Sequence, residues 1–259
     1  MTATTVRPAP PRIDSSRRAG ELWTTHLGQV PYAEGVSLQQ RLRARRQRDE
    51  LPDTLLLLQH PPIYTRGRRT TAADLPMGEQ WYLGQGIEVV DSDRGGRVTS
   101  HGPGQLVGYP IVALRDVLEY VRSVERAIIA ALADEGVGAC VREGLTGVWV
   151  GERKIASIGV HVSRGVTTHG FAVNVDNDLQ PFNWVVPCGI EGVRMTSVLR
   201  ETGRPGGLEC FRRRMAWRLA EALGRRQRLV SLRRLDSGPG EGVERTPARA
   251  GAALESSLG

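Results

Sequence analysis

Lysine is almost missing from this chain: of 35 basic residues in 259, only Lys154 is lysine, leaving 34 arginines. Coding bias can deplete lysine, so its absence elsewhere says little about function. The exception says more. Arginine stays protonated at any working pH, whereas lysine can give up its proton when its surroundings shift its pKa. Lys154 is therefore a candidate for a titratable amine, or else a chance surface lysine. Cysteine is scarce too. Cys140, Cys188 and Cys210 cannot all pair with one another, and their wide spacing matches neither a disulfide framework nor a zinc ligand set. A reducing compartment and no metal are expected. Long apolar runs are absent, the longest being short stretches such as TLLLLQ at 54–59, so no membrane span is expected. The N-terminal MTATTVRPAPPRIDSSRRAG lacks the apolar core of a secretory signal, and a cytoplasmic protein is expected. Neither a G-x-x-x-x-G-K-[ST] loop nor a G-x-G-x-x-G fingerprint occurs, and no cofactor is expected.

The net charge of +7 and a pI near 10 raise a nucleic-acid reading. Its distribution speaks against one. Arginines alternate with apolar positions in RLRARRQR at 41–48 and FRRRMAWRLAEALGRRQR at 211–228, the pattern of solvated helix faces, and aromatics are only 5%. A basic surface equally suits an acidic protein partner through electrostatic steering.

Residues 1–18 and 235–259 are poor in large apolar residues and are expected to be disordered arms around a single domain at 19–234. Within it, ELWTTHL reads as a strand, 32–48 as a helix with Leu38 and Leu42 inward, and TLLLLQ as a buried strand. Glycine and proline split 86–112 into short β runs joined by loops. A helix over 116–135 carries Val117, Val121, Val124, Ile128 and Leu132 at spacings of three and four. GLTGVWV, KIASIGVHVS and TTHGFAVNV form a strand meander with tight turns. A last helix over 207–223 presents Leu208, Phe211, Met215 and Leu219. The fold class is mixed α/β (α+β), a largely antiparallel or mixed sheet flanked by helices.

Chemistry points to PCGIEG at 187–192. Cys140 and Cys210 lie in stretches that suit inert core, whereas Cys188 follows a proline and precedes a glycine. Such a step can aim backbone N–H groups at an oxyanion and leave room for substrate beside Gly189, although PCG is also a plain turn with a partly buried cysteine. A nucleophilic thiol with pKa near 8.5 needs a nearby cation or base. The helpers are Lys154 and, in RVTSHGPGQ, His101. A Cys/Lys pair suits acyl transfer from a thioester to an amine, in which one base takes a thiol proton and later an ammonium proton.

RGGRVTSHGPGQLVGYPI at 94–111, GVWVGERKIASIGV at 147–160, HGFAVNV at 169–175 and PCGI at 187–190 together resemble the lipoyl(octanoyl) transferases, and QHPPIYTRGR at 59–68 resembles that family's early substrate loop. The resemblance covers about residues 21–223. It implies the catalytic-domain fold of biotin and lipoate protein ligases. It further implies transfer of an octanoyl group from octanoyl acyl carrier protein to a specific lysine on the lipoyl domains of 2-oxoacid dehydrogenase E2 subunits and on glycine-cleavage H protein. Cys188 matches the acyl-carrying cysteine and Lys154 the lysine that tunes it. The run Arg94, Gly95, Gly96, Arg97, Val98, Thr99, Ser100, His101 matches a substrate loop. Ser157, Ile158 and Gly159 match a second contact stretch, and Gly170, Phe171 and Ala172 a third. Ser100 departs from the pattern, since an aromatic is common there, which bears on the pocket wall or chain-length preference. Two rivals remain: an ATP-dependent lipoate or biotin ligase, which TRGRR at 65–69 faintly resembles, and a nucleic-acid-binding protein.

Overall fold

The computed structural model describes residues 20–190 and 192–237, with backbone only for Cys188. The expected arm at 1–18 and the tail beyond 237 lie outside the described residues. The strands are β1 (Glu21–Gln29), β2 (Asp53–Gln59), β3 (Ile63–Arg66), β4 (Glu88–Asp91), β5 (Thr99–His101) and β6 (Gln105–Ile111). They continue as β7 (Cys140–Arg142), β8 (Leu145–Val150), β9 (Arg153–Ser163), β10 (Val166–Asn174), β11 (Arg194–Met195) and β12 (Arg226–Leu229). The helices are α1 (Tyr32–Gln47), α2 (Glu79–Gly84), α3 (Val117–Ala133), α4 (Val198–Thr202), α5 (Leu208–Ala222) and α6 (Leu232–Asp236). None of them is long and apolar enough to cross a membrane.

The large sheet runs β12-β1-β2-β6-β10-β9-β8-β7, with β11 beside β9. Its β12-β1-β2 end is parallel and β2-β6-β10-β9-β8-β7 antiparallel. TLLLLQ explains the layering. Leu55 and Leu57 join the core beneath α3 and α5, while Leu56 and Leu58 join a second core beneath α1. Both faces of β2 are covered, so its sequence is a continuous apolar run rather than an alternation. Burying each leucine contributes about 1.5–3 kcal/mol. β9 and β10 are joined by Arg164 and Gly165, both at positive φ (45° and 75°), the two-residue turn that matches the strands' twist.

Several expectations change. In α3, Val124, Ile128 and Leu132 are buried as read, but Val117 is 43% exposed, because it stands in the first turn just after the Asp116 cap, which accepts from the Leu118 and Glu119 amides. Cys140 and Cys210 are exposed, not core: one lies on edge strand β7, the other off the Phe211, Met215 and Leu219 stripe of α5. Leu235, expected at the start of the tail, belongs to α6 and is fully buried in the core under α1.

A second, small sheet, β4-β3-β5, stands apart from the large one. Its core of Tyr64, Tyr82, Ile87 and Val98 also takes in Val185. The Tyr64 hydroxyl donates to the Pro181 carbonyl (2.5 Å) and the Tyr82 hydroxyl to that of Trp184 (2.8 Å). The small sheet thereby anchors the chain just before Cys188.

Candidate active site

A cavity of about 210 Å³ opens between the two sheets. Its floor is β9 and β10, which lie in antiparallel register with Ser157 opposite Ala172, Ile158 opposite Phe171 and Gly159 opposite Gly170. Two stretches separate in sequence are thus direct neighbours, and all six residues line the cavity. Glycine is needed beside this floor. A Cβ on Gly108 of β6 would stand 2.1 Å from Phe171 Cζ, so its absence lets the ring lie flat.

The wall opposite is the loop at 94–97. Arg94 is buried and donates to the Thr65 carbonyl (2.6 Å), the Thr65 hydroxyl (2.7 Å) and the Gly95 carbonyl (3.1 Å), tying the loop to β3. The Gly95 amide donates to the Val160 carbonyl (3.0 Å), tying it to β9. Arg94, Gly95, Gly96, Arg97, Thr99 and His101 line the cavity, but Val98 and Ser100 do not. The cause is the two-residue period of an extended chain, which turns Val98 into the small-sheet core and Ser100 away with it. Ser100 therefore stands behind the cavity wall, not in it.

Lys154 is 2% exposed and lines the cavity from β9. Its Nζ donates to the Thr146 carbonyl (3.0 Å) and lies 5.4 Å from the Trp149 ring centroid. Gly147 makes the space: at φ 122°, any Cβ would stand 2.7 Å from Lys154 Cε. Its amide is held by the buried Glu125 carboxylate of α3 (3.1 Å), which also pairs with Arg122. Helix α3 therefore sets the strand against which the amine rests.

His101 is buried beside His60 and Tyr32. Gln105 gives its NH₂ to the Ser100 carbonyl and Asn174, so its oxygen faces His101 Nδ1 (2.7 Å), and Nδ1 carries the hydrogen. Burial first, then the His60 ring, pushes His101 down to about 3. It is a neutral ring at working pH. His60 donates Nδ1–H to the Val30 carbonyl and accepts from the Tyr109 hydroxyl at Nε2 (2.6 Å each). Burial also lowers His169, whose Nε2 meets Asp93 at 2.5 Å.

Pro187–Gly189 form a short 3₁₀ turn, and Ile190 just beyond it lines the cavity. The side chain of Cys188 lies outside the described residues. The expected oxyanion donors and the expected open space beside Gly189 are partly taken up. The Gly189 and Ile190 amides donate to the Val186 and Pro187 carbonyls (3.1 and 3.2 Å), so the turn itself occupies these oxyanion donors. The room left by Gly189 is filled by the Arg97 side chain. Beyond the turn, β11 pairs Met195 with Lys154, and the Thr196 amide donates to the Lys154 carbonyl (3.0 Å). The chain leaving the cysteine turn thus returns to the lysine's own strand.

Sequence reasoning passed over Tyr32, Arg69, Tyr109, Thr146 and Ile190, which also line the cavity. Tyr109 lay inside a quoted motif, and Arg69 at the end of TRGRR. Tyr32 and Thr146 carried no local signal.

The profile of the lipoyl protein ligase A/B catalytic domain matches residues 31–220. The octanoyltransferase of Thermobifida fusca (strain YX) is 45% identical over 221 residues, covering 80% of this chain and 92% of that protein. The octanoyltransferase of Rubrobacter xylanophilus is 47% identical over 201 residues, covering 76% and 91%. Among solved structures, a lipoate-protein ligase A bound with ATP superposes with a TM-score of 0.66 at 18% identity, covering 82% of this chain and 89% of that one, a likeness of fold.

Proposed function

The chain belongs to the lipoyl protein ligase A/B catalytic-domain family, as an octanoyltransferase, and from that premise we propose that it carries octanoyl groups as a thioester on Cys188. The donor in this reading is octanoyl acyl carrier protein. The acceptors are the target lysines of lipoyl domains in E2 subunits and of glycine-cleavage H protein.

The observation that carries this reading is the place of Lys154: the only lysine of the sequence is buried in the wall of a cavity that also gathers the loop at 94–97, Ser157 to Gly159, Gly170 to Ala172 and Ile190. Lys154 takes the Cys188 thiol proton, and the thiolate attacks the donor carbonyl. The carrier departs as a thiol on receiving that proton back. The acceptor amine then attacks acyl-Cys188, Lys154 takes the amine proton, and the cysteine leaves as thiolate. A thioester is already an activated acyl donor, so neither step uses a nucleotide. The acyl chain lies over Ile158 and Phe171, the apolar part of the floor. Arg68 and Arg69, exposed where the cavity opens, suit acidic protein partners.

The test is intact-protein mass after mixing with octanoyl-loaded carrier, without ATP and without acceptor, for wild type and Cys188→Ser. One hydroxylamine-labile octanoyl adduct on wild type, absent from the variant, supports the reading. No adduct on either, with acylation appearing only when ATP and free acid are supplied, replaces it with the ligase reading.

A further inference from the structure

The Arg97 side chain of the 94–97 loop crosses to the cysteine turn. A Cβ at Gly189 would stand 2.2 Å from Arg97 Cδ and 2.6 Å from its Nε, so the arginine lies directly over the Gly189 backbone, which itself holds φ 66°. At its far end, Nη1 donates to Asp74 Oδ1 (3.1 Å). Asp74 is 1% exposed. Its other oxygen accepts from the Thr71 amide (2.8 Å) and hydroxyl (3.3 Å), which fixes the carboxylate before Arg97 arrives. The Asp74 carbonyl also accepts from the Val186 amide (3.0 Å), at the entrance of the turn. Asp74 therefore grips the turn twice, through its own backbone and through Arg97.

We propose that Asp74 and Arg97 form a clamp that fixes the turn at 187–189, making Arg97 a positioning residue for the acyl transfer rather than a substrate contact. This rests on the reading that Cys188 carries the acyl group. The clamp has a physical logic. The turn's own hydrogen bonds are short-range and reach only from 186 to 190. A lone 3₁₀ turn of that length is not rigid, and a displacement of about 1 Å at a reacting atom can cost about a hundredfold in rate. A buried carboxylate with prearranged partners supplies a fixed point outside the turn, and a planar guanidinium transmits it across the glycine. The glycine after Cys188 is then required because Arg97 occupies the place of its side chain.

The experiment compares wild type with Arg97→Ala, Arg97→Lys and Asp74→Asn in full-length protein, by two readouts. Amide hydrogen exchange of a peptide spanning 185–190 reports the turn, and single-turnover acylation at saturating octanoyl donor reports the chemistry. Arg97→Ala and Asp74→Asn should raise exchange in that peptide by about tenfold or more, and should slow acylation by about ten- to a hundredfold without changing donor half-saturation. Arg97→Lys, which keeps the ion pair but not the planar cover, should fall between. Combining Asp74→Asn with Arg97→Ala should be no worse than the poorer single variant, as expected for two parts of one device. Unchanged exchange in the peptide overturns the clamp. Raised exchange with an unchanged rate at saturation, or a loss seen only in half-saturation, overturns the positioning role and returns Arg97 to substrate contact. If Asp74→Asn fails to fold, Arg97→Ala decides, since the Arg97 side chain is 39% exposed. A wild type that forms no acyl adduct refutes the Cys188 reading and with it the positioning role, while the exchange data still judge the clamp.

Discussion

Acid should destabilise this protein through His101 by an amount the structure allows to be worked out. In the unfolded chain its ring titrates near 6.5, and in the folded protein burial holds it at about 3. A lowered histidine pKa means the unfolded state binds the proton first. The contribution of His101 to stability is therefore complete above pH 6.5, and is lost progressively as pH falls towards 3. Each pH unit well inside that window costs about 1.4 kcal/mol, so between pH 7 and pH 5 this one ring removes about 2 kcal/mol. His60 and His169 are lowered in the same direction, mainly by burial, and add to the loss. The assay is urea unfolding at both pH values for wild type and His101→Asn. Asparagine can offer an amide N–H where Nδ1–H now meets Gln105, so the variant keeps that hydrogen bond while losing the proton site. The wild-type loss should exceed that of the variant by about 2 kcal/mol, less what His60 regains once the neighbouring ring is gone. Equal losses in both proteins would refute the reasoning.

Lys154→Arg keeps the charge but removes the titratable amine and crowds Gly147; turnover should fall by about a hundredfold or more, measured by octanoylation of a lipoyl domain. Gly147→Ala forces a Cβ onto φ 122° and against Lys154 Cε, which should cost about 1–3 kcal/mol in unfolding and lower activity without touching a reacting group. Gly108→Ala must push the Phe171 ring aside by roughly 1 Å or more, because its Cβ would stand 2.1 Å from Cζ. Competition between hexanoyl and octanoyl donors should then shift towards the shorter chain, and an unchanged ratio removes Phe171 from the pocket floor. Raising salt should increase the half-saturation for octanoyl carrier protein but leave that for a small uncharged octanoyl thioester unmoved.

The large sheet and its helices were legible because their signals are local. TLLLLQ announces a strand covered on both faces, and the stripes of α3 and α5 announce helices that do the covering. Lys154 stood out by its residue type, and three of its companion stretches by motif. What escaped depended on neighbours distant in sequence. Whether a cysteine in GVGACVRE is core or surface is decided by β7 being an edge strand, which no local pattern shows. The separate small sheet arises because β3 pairs β4 and β5 instead of continuing the large one. TTAAD at 70–74 carries no motif, and only the fold brings its aspartate under Arg97 and Val186. Glycines gave the least away: Gly189 reads as open space, and the fold fills it with an arginine from 92 residues earlier in the sequence.

The burial of Lys154 has a consequence for the enzyme's own integrity. A catalyst that delivers octanoyl groups to lysine, as proposed, works amid its own surface, and a protein with ordinary lysine content would offer it many rival nucleophiles at high local concentration. Here the sole lysine is 2% exposed, and the other 34 of the 35 Lys and Arg residues are arginines, whose guanidinium groups do not accept acyl groups under these conditions. The surface thereby offers no rival lysine. Every amide it makes on a lysine other than Lys154 must lie on another molecule, so acyl counts on the acceptor need no correction for lysine self-modification.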